Sequence, residues 1–150
     1  MSPTESARPP ASTSLDSPSL EQAERGTLMS TLAMEVTERS AERTVVRMPV
    51  DGALQVIGIL HGGASAALIE TAASVAARQA APQGTVPVGA ELQVSHLRPV
   101  RHGFVTAVAT PVHIGRRTAV YEVTVSDDAG RLAARGTLRS LFTSVGEAPA

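Results

Sequence analysis

The chain has 150 residues, a formal net charge of −1 at pH 7 and no cysteine. That length suits one domain. The near-neutral balance gives no electrostatic case for nucleic acid, and the missing thiols exclude disulfides, thiolate nucleophiles and Cys-ligated metals. All 13 Lys-or-Arg positions are arginine, so no lysine Schiff base can form. With two Phe, one Tyr and no Trp, the core has to be built from Val, Leu, Ile and Ala.

Residues 1–18, MSPTESARPPASTSLDSP, predict a disordered tail from their Ser, Thr, Pro and Ala content. They lack the apolar stretch of a secretory signal. The longest weakly polar run, Gly62 to Ala77, is short and carries Glu70, so no membrane span and a cytoplasmic protein are expected. SLEQAERG reads as a short helix capped by Ser19 and ended by Gly26. TLAMEVTE and RTVVRMPV alternate as two strands around the turn RSAE. DGALQVIGILHGG is a loop leading to a long helix from Gly63 to Gln79, which APQGTVP ends. Four strand-like runs follow: VGAELQVSHLRPV, FVTAVATPVHIG, RTAVYEVTVSD and RLAARGTLRSLFTS. The DDAG between the last two is a tight hairpin signal. This order predicts an α+β domain over residues 19–145, one long central helix packed on a mostly antiparallel sheet, with a flexible end at 146–150.

The helix has an unusual outer face. At about 100° per residue, Leu68, Ala72, Val75 and Ala76 form the expected sheet-facing stripe, with Glu70 roughly opposite. Around Glu70 sit Gly63, Ala66, Ala67, Ala73, Ser74 and Ala77. A solvated face normally carries several charges, so this small-residue face is expected to be covered by a second subunit. Glu70 is then a candidate base or nucleophile, the alternative being an ordinary solvated residue. Ser74, one turn on, is placed either to hydrogen-bond the carboxylate or simply to pack. No Ser, Thr, Asp or Asn precedes the helix; HGG does. Its first amides are therefore expected to stay open to an anion or a developing oxyanion, unless the glycines serve only a tight turn.

Other signals are weaker. GASAA falls one glycine short of a nucleophile elbow at Ser65, and the alternating βα pattern of that fold is missing. His61, His96, His102 and His113 have no metal-ligand spacing, so no metal is expected. Arg98, Arg101, Arg116 and Arg117 lie near strand ends, as a phosphate clamp or as solvated turns.

The run GILHGGASAALIETAASVAA resembles the active-site segment of the hotdog-fold acyl-CoA thioesterases. It is most similar to the group holding 1,4-dihydroxy-2-naphthoyl-CoA thioesterase, the Arthrobacter-type 4-hydroxybenzoyl-CoA thioesterase and the phenylacetate-pathway thioesterases. MPVD, VGAELQVSHLRPV, HIGRRT and DDAGRL extend the resemblance over about residues 19 to 145. The resemblance implies a hotdog fold and an acyl-CoA thioesterase. Glu70 falls on the catalytic carboxylate, Gly62 on the amide that polarises the thioester carbonyl, and Gln55 and His61 on the groups that orient thioester and water. Ser74 falls on the hydroxyl one turn after the carboxylate. Gly89, His96, Leu97, Arg98 and Pro99 fall on substrate- and CoA-contacting positions. His113, Ile114, Gly115, Arg116, Arg117 and Thr118 fall on the loop that meets the nucleotide end of CoA. The resemblance further implies a homodimer with shared sites, pairing into a homotetramer, and no cofactor beyond the CoA of the substrate. With little aromatic lining and an apolar DGALQVIG loop, a medium-chain acyl group is expected alongside an aryl one. A non-catalytic acyl-CoA or aromatic-acid binding protein on the same fold is the alternative; its mark would be loss of the carboxylate, which is present.

Overall fold

A computed structural model describes residues 23–146. The tail over 1–18, the cap at Ser19 and the end beyond 146 lie outside those residues. In chain order the elements are α1 (Leu28–Thr31), β1 (Glu35–Glu38), β2 (Thr44–Pro49), α2 (Gly62–Ala80), β3 (Thr85–His96), β4 (Phe104–Ile114), β5 (Thr118–Asp127) and β6 (Leu132–Ser144). The six strands form one sheet in the order β1-β2-β4-β5-β6-β3, with every pairing antiparallel. The long helix α2 lies across β2 to β6.

Alternation builds the core. Val105, Ala107 and Ala109 on β4, and Ala119, Tyr121, Val123 and Val125 on β5, point to the helix at every second residue and are buried. Small side chains on both layers let α2 come close. On β6, a Cβ added at Gly136 would clash with the Gln93 carbonyl oxygen of β3 and stand 3.2 Å from Ile69 Cγ2, so glycine there serves the strand pairing as well as the helix. The lone Tyr121 is buried, and its hydroxyl donates to the Ala41 carbonyl at 2.8 Å, tying the β1–β2 turn to the sheet. Burial, and to a lesser degree the Glu42 charge, holds its phenol above the usual value of 10.0.

The buried side of α2 is wider than the expected stripe. Ala73 and Ala77, expected on the outer face, are fully buried within the protomer together with Leu68, Ile69, Ala72 and Ala76, while Val75, expected in the stripe, is only half-buried. The reason is side-chain size: alanine and glycine at the contact let the sheet reach further round the helix. Glu70 consequently sits roughly 110° from the middle of the buried side, at its border and not opposite it. That border hangs over β3, an edge strand.

Several boundaries differ from the pattern reading. α2 begins at Gly62, one residue earlier than expected. The strand expected from Thr31 starts only at Glu35, because Thr27 caps a helical turn by accepting from the Ser30 amide at 3.4 Å. β3 starts at Thr85 and ends at His96, short of the expected Val100. There the Leu97 and Arg98 amides both turn to the Ala133 carbonyl, at 2.8 and 3.1 Å. Pro87 is tolerated inside β3 because an edge strand leaves one side unpaired. Gly26 turns the chain as expected, with φ at +72°. Among the described residues no helix is long and apolar enough to cross a membrane.

Candidate active site

The start of α2 is capped by a residue that sequence reasoning did not credit with the role. His61 precedes the helix in extended conformation, and its Nδ1 accepts the Gly63 amide at 2.8 Å. Glycine at 63 permits this, since a Cβ there would meet Nδ1 at 3.0 Å. With Nδ1 accepting, the neutral ring carries its proton on Nε2. The Ala64 and Ser65 amides bond to the His61 carbonyl at 2.9 and 3.2 Å. The expectation of several open amides is thereby corrected: the Gly62 amide alone is left without an acceptor among the described residues.

Around that amide the chain gathers polar groups. A Cβ at Gly62 would stand 3.0 Å from His96 Nε2, so the imidazole lies against the bare glycine. Ser65 Oγ lies 3.4 Å from His96 Nδ1 and 3.3 Å from the Gly62 carbonyl, to which it donates. Gly62, Ser65, His96, Arg98 and Gln55 share one pocket of about 420 Å³. Its remaining wall is aliphatic, with Ile59, Leu97, Val100 and Val125 among its residues. Pro99 lies at the same mouth. Gln55 is brought there by a small hairpin in the loop, where its amide donates to the Ile59 carbonyl at 2.8 Å and Leu54 bridges Leu60. His61 faces the other flank of the helix start, a cavity of about 380 Å³ shared with Leu28 and Leu54.

Glu70 belongs to a second locus. It is exposed, and with Ser74 it lines a cavity of about 240 Å³ against Leu28 and Met29 of α1. No hydrogen bond joins Glu70 to Ser74 among the described residues. The carboxylate lies over Gly89 on β3, 2.8 Å from where a Cβ would be. Eight residues of helix separate Glu70 from Gly62, which is about 12 Å of rise. One protomer therefore gathers Gln55, Gly62 and His96 in one place, and Glu70, Ser74 and Gly89 in another.

The arginines also divide. Arg98 lines the pocket at the Gly62 end. Arg116 and Arg117 are exposed in the β4–β5 turn at the opposite end of the sheet. His96 pairs with Ala134 and Thr118 with Leu141, so seven residues of β6, roughly 23 Å, lie between the two groups. A single clamp formed by Arg98, Arg101, Arg116 and Arg117 within one protomer is excluded by that register. The turn itself is tight: the Gly115 amide donates to the Thr118 carbonyl at 2.9 Å, and His113 occupies the space a Gly115 side chain would need. His113 and Ile114 close β4 as exposed residues, and the Thr118 hydroxyl is used internally, donating to the Ser140 carbonyl at 2.8 Å.

Ser65, which the sequence offers only as a nucleophile at an incomplete elbow, is buried between Gly62 and His96. Its spacing of three from Gly62 was the available signal. Leu28 and Met29 could not have been found, since only the fold brings α1 to the Glu70 cavity.

Comparison with known proteins identifies the family of this fold. Residues 57–134 match the model of the thioesterase superfamily. The chain is 48% identical over 108 residues to the Bacillus subtilis protein ComA2, covering 71% of this chain and 86% of that one. It is 41% identical over 107 residues to the proofreading thioesterase EntH of Cronobacter turicensis, covering 71% and 78%. Among solved structures, thioesterase HI1161 from Haemophilus influenzae superposes with a TM-score of 0.81 at 32% identity, covering 90% of this chain and 97% of that one. Fold and sequence relationship converge, and the chain belongs to the thioesterase superfamily as a hotdog-fold thioester hydrolase.

Proposed function

We propose that the protein hydrolyses an acyl-CoA thioester, with an aryl or medium-chain acyl group, at a site completed by two copies of the chain. The observation that carries this reading is the gap of about 12 Å between the free Gly62 amide and Glu70 on one helix. A carbonyl held at the amide is out of reach of the same protomer's carboxylate. Glu70 of a second protomer, packed across α2, meets it. The exposed apolar residues Leu28 and Leu54, beside the small outer face of the helix, support such a contact.

In this reading the thioester carbonyl accepts the Gly62 amide, and negative charge develops on its oxygen as the tetrahedral intermediate forms. One donor of this kind contributes on the order of 3 kcal/mol to the transition state. The Glu70 carboxylate either adds to the carbonyl carbon, expelling CoA thiolate and leaving a mixed anhydride that water cleaves, or takes a proton from the water that adds. Both routes give the free acid and CoA, and return the carboxylate. Gln55 shares the pocket of the Gly62 amide and would orient the thioester or the water, His61 offers Nε2–H from the neighbouring flank, and Ser74, in the cavity of Glu70, would orient the carboxylate or a water beside it. The CoA phosphates run to Arg98 of one protomer and to Arg116 and Arg117 of the other. No metal or further cofactor enters, and two such dimers make a homotetramer in the cytoplasm.

Assaying Glu70→Ala against benzoyl-CoA and decanoyl-CoA, with detection of the free thiol, tests the assignment. Loss of turnover on the order of 10²- to 10⁴-fold is expected. Turnover near the wild-type level would overturn the mechanism. Binding of both thioesters by the wild-type protein without thiol release would overturn the activity itself.

A further inference from the structure

We propose that Gly89 is a positioning residue for Glu70: its missing side chain leaves the space in which the Glu70 carboxylate rests over β3. The inference builds on the reading of Glu70 as the reacting group, and it assigns Gly89 a role through that carboxylate in place of direct contact with substrate.

Three observations lead to it. A Cβ at Gly89 would lie 2.8 Å from Glu70 Oε1, closer than such atoms approach in folded proteins, and 3.4 Å from Leu138 Cδ1. The carboxylate thus occupies the volume of a side chain at 89. Secondly, the backbone does not itself demand glycine there, because Gly89 is not among the residues with positive φ. Space, not conformation, is what glycine supplies. Thirdly, the β3–β6 register slips at this point, with Gly89 opposite Ser140 and Glu91 opposite Arg139, so that Ala90 is extra. A bulge re-aims the strand where it stands, and bulges recur beside active sites for that reason. Here it sits directly below Glu70, on an edge strand whose other partner side is open.

The neighbour that a Cβ would strike hardest is the far end of a flexible side chain, so Gly89→Ala should displace the carboxylate without unfolding the sheet. In the full-length protein, kcat for benzoyl-CoA or decanoyl-CoA is expected to fall on the order of 10- to 100-fold, since small misplacements of a reacting group carry penalties of that size. KM should change less than about twofold, because the lost interaction is made in the transition state. The thermal midpoint should stay within about 3 °C of wild type. The same substitution in a Glu70→Asp background should cost under about threefold, because the shorter side chain ends before it reaches residue 89 and the two changes are then not additive. A wild-type kcat in Gly89→Ala overturns the proposal. So does a loss confined to KM, which would mark direct substrate contact, or an equal loss in the Glu70→Asp background. A collapse of the thermal midpoint overturns it too, since a displaced carboxylate tip would not produce one. Failure of the catalytic reading is recognised separately, by full turnover in Glu70→Ala.

Discussion

At the start of α2 the polar groups are held by hydrogen bonds and close packing. His61 folds back on the Gly63 amide, Ser65 links the Gly62 carbonyl to His96, and the imidazole lies flush against a bare glycine. Two turns further on, Glu70 projects from the border of the buried face and rests in the space above Gly89. The first locus leaves one amide of the helix start, that of Gly62, without an acceptor among the described residues, because its neighbour Gly63 is capped. The second is a carboxylate whose position is set by what is missing beneath it. In the proposed mechanism the two devices serve one end: an oxyanion donor has to be fixed before the charge develops, and a reacting carboxylate has to be held near its productive position.

The amide end should fail abruptly when its donor is removed. Gly62 is the first helical residue after an extended His61, the place where proline fits a helix and where the preceding residue already has the required conformation. Gly62→Pro deletes the N–H, and Gly62→Ala keeps it while presenting the same Cβ to His96. Proline should lower kcat on the order of 10²- to 10³-fold relative to alanine in the thiol-release assay. Equal activities would show that the amide is not the donor.

Smaller effects should appear away from both loci. Removing Arg116 and Arg117 together should raise KM for an acyl-CoA about fivefold with kcat kept, and the effect should shrink in high salt, as for exposed charge pairs. An unchanged KM would remove the β4–β5 turn from the CoA path. The smallest expected effect lies in the DDAG turn, where the Asp127 carboxylate accepts the Arg131 side chain at 2.8 Å and the Ala129 and Arg131 amides at 3.0 and 2.9 Å. The Arg131 side-chain hydrogen bond, aided by these amides, holds its carboxyl below the ordinary 3.8. Its folded form is therefore favoured above that value, and the advantage disappears as pH falls through the lowered one. Asp127→Asn should lower the thermal midpoint at pH 7, with the gap closing in acid below pH 3.8, and leave turnover at both loci unchanged. A gap that persists at low pH would assign the loss to geometry and not to charge.

Much of this was legible in the residues. Strict alternation in FVTAVATPVHIG and RTAVYEVTVSD, with Asp and Gly at the turns, leaves little choice but antiparallel hairpins. The lone Glu70 among alanines stands out from the sequence as a candidate. What pattern could not reveal was the width of the buried face, because helical periodicity assumes side chains of ordinary size and α2 uses alanine. It could not reveal His61 as a cap, since the side chain that caps best by statistics is a short hydroxyl, carboxylate or amide. Nor could it show that Arg98 and Arg116 stand at opposite ends of the sheet, which depends on register between strands far apart in sequence.

The central claim is that the two loci meet only between protomers. The direct measurement mixes two inactive variants, Gly62→Pro and Glu70→Ala, by joint unfolding and refolding. If the site is shared, half of the dimers are mixed, and each mixed dimer has one site with both defects and one with neither, so about a quarter of wild-type turnover should return. If Gly62 and Glu70 worked within one protomer, no intact site would form, and a mixture as inactive as its components would contradict the account.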